Sequence, residues 1–468
     1  MSPLEIFLKL RGNLPFEPTK GQEGVLYSLS EFLHIDEQHP IFRLSGYAGT
    51  GKTSMIRAIT ATLKLMGRKY ALLAPTGRAA KVISAYSGEK SFTIHRMIYQ
   101  TMADEDGRLH FVLRKNTGKD AVVIVDEASM IGGEGAIGGT DLLSDLMAFV
   151  SSGKRCRLIL IGDTAQLPPV GSNLSPALDP EVLAARFHFE RSMQAELTEV
   201  VRQQQDSGIL QNATYLRSLI RGEDDDIRIS VHKDVISIDG SELAYLLADE
   251  VARHGREGVM LITRSNKRAN RFNAQIRLQV LGFEDEFVPN DMLMVVKNNY
   301  HWLDAKTNKN ELIANGDMVE VVRIGRTHHY HGFRFTDLTI RMYDTDQANE
   351  VDVRVWTDCL MAEGPAMPAD DVRVLHGLVR AEVSGAGSNK EMRKLFEADP
   401  YLNALQVKYG YAVTCHKAQG GQWPVVFIDQ GYLTEEMLDA NYLRWLYTAF
   451  TRATEKVYLI NFNSRFFE

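Results

Sequence analysis

The 468-residue sequence holds only Cys156, Cys359 and Cys415, too few and too scattered for a disulfide framework or a zinc site. It has no apolar run of about 18 residues, so no membrane span is expected. Its start, Met1-Ser-Pro-Leu-Glu-Ile-Phe-Leu-Lys-Leu10, has too short an apolar stretch for a secretory signal and carries an acid within it. A reduced, cytoplasmic setting is the expectation. Excess positive charge is also missing, with a formal net charge of -7. That does not exclude a nucleic-acid partner, because a local basic and aromatic track can hold a strand without a globally basic surface. At 44% hydrophobic, the chain can bury cores for about three domains, since domains run roughly 100 to 200 residues.

What is present begins with Gly46-Tyr-Ala-Gly-Thr-Gly-Lys-Thr53, a full match to G-x-x-x-x-G-K-[ST]. The strand-like Ile41-Phe-Arg-Leu44 runs into it and a helix-patterned Ser54 to Leu63 runs out. Gly46, Gly49 and Gly51 let the backbone around Thr50 wrap closely, so that successive N–H groups face phosphates. Lys52 then neutralises the β- and γ-phosphates of ATP, and the Thr53 hydroxyl holds Mg²⁺. Downstream, Ala121-Val-Val-Ile-Val125 has the pattern of a buried parallel strand and ends at Asp126-Glu127. Asp126 is the expected Mg²⁺ ligand and Glu127 the base that orients the attacking water. A third strand, Arg157-Leu-Ile-Leu-Ile161, delivers Gly162-Asp-Thr-Ala-Gln-Leu-Pro-Pro-Val170, whose Gln166 is placed to reach a γ-phosphate.

Together with later motifs, these residues resemble a superfamily 1B DNA helicase of the RecD/Dda type, from about Thr19 to Ala453. Thr19-Lys-Gly-Gln22 resembles the family's adenine-reading glutamine. Ala74-Pro-Thr-Gly-Arg-Ala-Ala-Lys81 and Thr93-Ile-His-Arg96 resemble its first strand-contacting motifs, and Leu197 to Gln203 the stretch that supplies an arginine finger, Arg202. Ile262-Thr-Arg-Ser-Asn266, Tyr411 to Gly420 and Leu446-Tyr-Thr-Ala-Phe-Thr-Arg-Ala453 complete the set in the family's order, with Arg452 as a second finger. The resemblance implies ATP and Mg²⁺ as cofactors and DNA contacts from Pro75, Thr76, Thr93, His95, Asn266, Thr414, His416 and Lys417. It further implies single-stranded DNA and strand junctions as partners, replication or repair proteins as further ones, a monomeric, nucleoid-associated protein, and movement from 5′ to 3′. One departure is Gln422, where many relatives carry an acid, which leaves the family's sugar contact open. An RNA-directed superfamily 1 helicase and an ATPase without unwinding are the alternatives.

The expected fold is α/β, with two RecA-like doubly wound parallel-sheet lobes, a β-hairpin pin insert and an SH3-like β-barrel insert. The first lobe spans 1–195, and residues 97–119 break its rhythm with two β-like runs around Asp104-Glu-Asp-Gly107, a hairpin signal. The second lobe takes 196–285 and 403–468, with Gln406 to Thr414 as one of its strands. The barrel fills 286–402, with Gly364 to Pro368 and Ser384 to Ser388 as its loops. Four features stay outside the site. Gly133 to Gly138 fits G-x-G-x-x-G but opens no helix directly after a strand, so it is a loop. His328-His-Tyr-His331 belongs to a strand or loop of the insert instead of a metal site. Cys415 forms no nucleophile pair with His416, because strand neighbours face opposite ways, and packs instead, and Glu223 to Asp226 is a solvated loop.

Overall fold

The computed structural model describes residues 1–103, 109–132, 141–199, 207–224, 226–299, 301–303, 313–342, 350–384 and 388–467. Its first sheet is six-stranded and wholly parallel, in the spatial order Ser91–Thr93, Tyr70–Ala74, Val122–Val125, Arg157–Gly162, Ile41–Gly46, Ser192–Leu197. The three central runs are apolar because helices cover both faces, and Phe42, Leu44, Ile124, Val125, Leu160 and Ile161 are fully buried. The last strand reaches Leu197, so the first lobe extends past the boundary expected at residue 195.

The second sheet is five-stranded and parallel: Ala412–Thr414, Val259–Thr263, Trp423–Asp429, Ala453–Ile460, Val235–Ile238. Between the second and third of its sequence-order strands lies an antiparallel sheet of Glu350–Trp356, Phe333–Met342, Met318–Tyr330, Met292–Val295 and Val407–Tyr409. A bridge between Val355 and Leu405 joins its two ends and closes it into a small barrel.

The strand expected from Gln406 to Thr414 is therefore two strands in two different sheets. It divides at Gly410, where a Cβ would stand 2.4 Å from Met318 Cε and 3.3 Å from the Met292 carbonyl oxygen. The division is locked by the side chains around it. Tyr411 donates its hydroxyl to Asp291 Oδ1 (2.8 Å) and accepts the Met292 N–H (2.9 Å), while Arg277 Nε donates to Asp291 Oδ2 (3.0 Å). Residue 291 is where the chain enters the barrel and residue 411 where it leaves, so one buried cluster ties both junctions.

Two further expectations need correction. Cys415 and His416 stand on a short helix, Cys415–Ala418, and not on a strand. The insert also carries two helices, Ala369–Val383 and Asn389–Ala398, besides its barrel strands, and 385–387 of the expected loop lie outside the described residues. The expected hairpin pairs Tyr99–Ala103 with Leu109–Leu113 in antiparallel register, and most of its turn, 104–108, lies outside the described residues, as do 133–140. His328 lies in the strand Met318–Tyr330 and bonds to Asp337 Oδ2 at 2.7 Å.

Candidate nucleotide site and strand-facing edges

The P-loop joins the strand Ile41–Gly46 to the helix Lys52–Leu65. Gly49 and Gly51 take φ of +74° and +94°, a region costly for residues with a Cβ, which turns the backbone into the helix. Lys52 Nζ donates to the carbonyl oxygens of Gly46 (2.6 Å) and Tyr47 (2.8 Å) and lies 3.9 Å from Asp163 Oδ2. Gln22, at the third position of the helix Lys20–His34, completes a capping box with Thr19 and donates from Nε2 to the Thr50 carbonyl at 3.1 Å. Its amide is thus fastened to the P-loop backbone. Thr50 is wholly buried and turns its hydroxyl back to Tyr47 O (2.8 Å).

A cavity of about 490 Å³ opens over this loop. Gly49, Gly51, Lys52, Thr53, Asp126, Glu127 and Gln166 from the first lobe line it, together with Arg452 from the second. These come from four separate sequence regions: the first-lobe residues follow the C-terminal ends of parallel strands, and Arg452 comes from the turn between the helix Ala440–Phe450 and the strand Ala453–Ile460. Glu127 holds φ of +51°, and its N–H donates to Asp126 Oδ1 at 2.8 Å. Burial first, and then the adjacent Glu127 charge, push the Asp126 carboxyl up to about 7. Glu127 Oε2 and Gln166 Oε1 are buried without a hydrogen-bond partner. An acceptor-only pair of carboxylates whose mutual repulsion a divalent cation relieves, beside a hydroxyl at Thr53, is a donor set that suits Mg²⁺. Arg452 is 4% exposed and donates to the carbonyls of Thr448 (3.1 Å) and Gly421 (3.3 Å). Arg202 lies outside the described residues.

Sequence reasoning missed the aromatic rim of the cavity. Phe16 and Tyr86 both line it, and the Tyr86 hydroxyl donates to Gln422 Oε1 at 3.4 Å. Neither sits in a recognisable motif, and only the fold brings them to the P-loop. Gln422 itself lines the cavity.

The residues expected to face a nucleic-acid strand fall at the corresponding edge of each lobe. Ala74 pairs with Thr93 in the first sheet, so Pro75 and Thr76 leave one strand beside Thr93 at the end of its neighbour. Thr76 caps the helix Gly77–Ser87 by accepting the Ala79 N–H, and Thr93 caps Ile94–Ile98 by accepting the Arg96 N–H. In the second sheet Thr263 pairs with Thr414, which places Asn266, first residue of the helix Asn266–Gln275, near Thr414 and His416. Burial lowers the pKa of His95. Lys417 donates to Pro365 O at 3.0 Å, and burial together with the Lys408 charge pushes it down to about 8.

The two lobes also meet through side chains. Tyr47 in the P-loop donates its hydroxyl to Glu196 Oε1 (2.7 Å) and accepts from Arg221, while the Arg217 guanidinium lies 4.1 Å from its ring centre. Gln419 Nε2 donates to Leu167 O (2.8 Å), and Thr448 Oγ1 accepts the Leu167 N–H (2.8 Å).

Residues 34–235 match the family model described as AAA domain, and residues 409–460 match the UvrD-like helicase C-terminal domain. The ATP-dependent RecD2 DNA helicase of Deinococcus radiodurans is 27% identical over 449 residues, covering 94% of this chain and 50% of that protein. The ATP-dependent DNA helicase Dda of Enterobacteria phage T4 is 23% identical over 356 residues, covering 70% of this chain and 75% of that one. The crystal structure of a Bacteroides Pif1 helicase in complex with ADP-AlF3 and single-stranded DNA aligns over 94% of this chain and 92% of that one, at 16% identity and a TM-score of 0.47. The chain spans half the length of the Deinococcus relative. With two family models at opposite ends of the motif series and RecD2- and Dda-type relatives aligned across most of its length, the chain is similar to the superfamily 1B helicases.

Proposed function

We propose that this chain is an ATP-dependent DNA helicase, moving 5′ to 3′ on single-stranded DNA and separating duplex ahead of it. The observation that carries the proposal is the shared cavity, lined by P-loop, carboxylate and glutamine side chains of one lobe and by Arg452 of the other. Such a site is complete only when both lobes meet over one nucleotide.

Lys52 neutralises the β- and γ-phosphates, and Gly49, Thr50 and Gly51 supply the enclosing backbone. Thr53 and Asp126 would hold Mg²⁺, which would supply charge stabilisation for the phosphates when bound. Glu127 orients the attacking water, Gln166 reports the γ-phosphate, and Arg452 with Arg202 stabilises charge on the transferring phosphoryl. Gln22 reads the adenine. Single-stranded DNA crosses both sheet edges, held alternately by Pro75, Thr76, Thr93 and His95 on the first lobe and Asn266, Thr414, His416 and Lys417 on the second. We assign the hairpin within 97–119 as a duplex-splitting pin and the barrel as an SH3-like cover over the strand. We further assign a monomer acting at single/double-strand junctions alongside replication or repair proteins, in the cytoplasm at the nucleoid.

ATP turnover with single-stranded DNA, with single-stranded RNA and with neither tests the class. Stimulation by DNA is expected, with Lys52→Ala inactive; preferential stimulation by RNA would reassign the substrate. Duplexes with matched 5′ and 3′ tails test direction. Unwinding is expected from the 5′ tail, and a clear 3′ preference would reject that polarity.

A further inference from the structure

Tyr447 stands on the second-lobe helix Ala440–Phe450 and is 1% exposed. Its hydroxyl accepts the backbone N–H of Ala48 in the P-loop (3.0 Å) and donates to Asp163 Oδ2 (2.7 Å). Both partners belong to the first lobe. Asp163 is wholly buried, its Oδ1 accepts the Ala165 N–H (2.9 Å), and its Oδ2 lies 3.9 Å from Lys52 Nζ. A phenol has one proton to give and lone pairs to receive, so this single oxygen serves an amide and a carboxylate at once. Burial and the Asp163 charge raise its pKa well above the ordinary value, which keeps the donated proton on the oxygen.

The same helix ends beside Arg452, five residues on, so any movement of the helix carries the arginine and this hydroxyl together. When the helix withdraws, Ala48 N–H loses its acceptor. Asp163 loses its nearest neutral donor, and Lys52 becomes the closest remaining positive group to it. The lysine that must face phosphates is then drawn toward the carboxylate.

We propose that Tyr447 is a positioning residue that aligns the P-loop with the docked second lobe, by holding Ala48 N–H and by satisfying Asp163 so that Lys52 stays free for the nucleotide. The inference rests on the proposed ATP-driven function. Its contact spans the two lobes, so its effect falls on the closed, reacting state more than on initial nucleotide binding.

The test is steady-state ATP hydrolysis with saturating single-stranded DNA for the parent, Tyr447→Phe, Asp163→Asn, the two combined, and Arg444→Lys. Arg444 lies on the same helix, contacts the Thr164 carbonyl of the first lobe, and its charge acts on Asp163 and Tyr47, so the control is Arg444→Lys, which disturbs the lobe contact and keeps the charge. Tyr447→Phe should lower kcat by at least about tenfold, the usual effect of losing a hydrogen bond to a charged group, while KM for ATP stays within about threefold. Asp163→Asn removes the carboxylate that would draw Lys52 without emptying its space, so on its own it should stay within about threefold of the parent in kcat, and added to Tyr447→Phe it should restore at least about threefold. Arg444→Lys should stay within about threefold of the parent in kcat. Equal losses in Tyr447→Phe and Arg444→Lys would reduce Tyr447 to general lobe packing, and parental kcat in Tyr447→Phe, or no recovery on adding Asp163→Asn to it, would also overturn the inference. If the parent itself shows no DNA-stimulated turnover, the proposed function fails and takes this inference with it. A parent that turns over ATP beside unaffected variants removes the inference alone.

Discussion

Lys417 provides a test of the strand-facing edge by pH alone. Its ammonium is pushed down to about 8 by burial and by Lys408, against an ordinary 10.5, so it is largely charged at pH 7 and largely neutral at pH 9. If a DNA phosphate binds the charged form, the charged fraction falls about tenfold between those two values, and affinity should weaken by up to about tenfold, since one pKa unit corresponds to about 1.4 kcal/mol. Folding stability should run the other way. The folded pKa lies below the unfolded one, so between about 8 and 10.5 the unfolded chain binds more protons from this site, and stability rises with pH across that window. Oligonucleotide anisotropy from pH 7 to 9 at fixed salt, set beside melting temperatures over pH 8 to 10, measures both trends. Lys417→Arg is the control, because a guanidinium keeps its charge throughout. An affinity slope in Lys417→Arg as steep as in the parent would refute the assignment of Lys417 as the titrating contact.

Arg452→Ala and Arg202→Ala should each retain nucleotide binding while losing about 10³-fold or more in turnover, as measured by single-turnover hydrolysis; activity within a few-fold of the parent would return that arginine to a structural role. Deleting Asp104 to Gly107 should leave DNA-stimulated ATPase intact and impair duplex separation in a fluorescent strand-displacement assay, whereas equal loss of both would mark the hairpin as a folding element. Glu127→Gln should bind ATP with little change and slow its hydrolysis by at least about 10², because an amide orients water without accepting its proton; an unchanged rate would move the base elsewhere.

The nucleotide site was legible because its chemistry is written in contiguous residues. A P-loop requires glycine at fixed steps, and Asp126-Glu127 follows an uninterrupted apolar strand, Val122–Val125. The same holds for Arg157–Gly162, which carries Gln166 to the cavity. Long-range features left no such trace. Gly410 divides two strands whose apolar patterns run together as one, and nothing in that run marks the change of sheet. Thr414 through Ala418 look strand-like from the neighbouring residues, yet the chain turns into a helix there. Phe16 and Tyr86 reach the cavity from segments without a motif, and the partner of Tyr447 lies 284 residues away at Asp163.

The cluster of Arg277, Asp291 and Tyr411 has a mechanical consequence. Because it pins the entry and exit of the barrel to each other at the second lobe, the barrel is rooted like a bracket on a beam and has no free hinge at its base. Its tie to the first lobe is different in kind: Lys81 Nζ, on the helix Gly77–Ser87, meets the buried Asp317 Oδ1 at 3.0 Å. That ion pair lies next to the root, since Val295 donates its N–H to the Asp317 carbonyl, and Ala314 packs against Gly77 beside it. The barrel thereby holds its Ala314–Asp317 turn against the helix Gly77–Ser87, next to Thr76, which caps that helix.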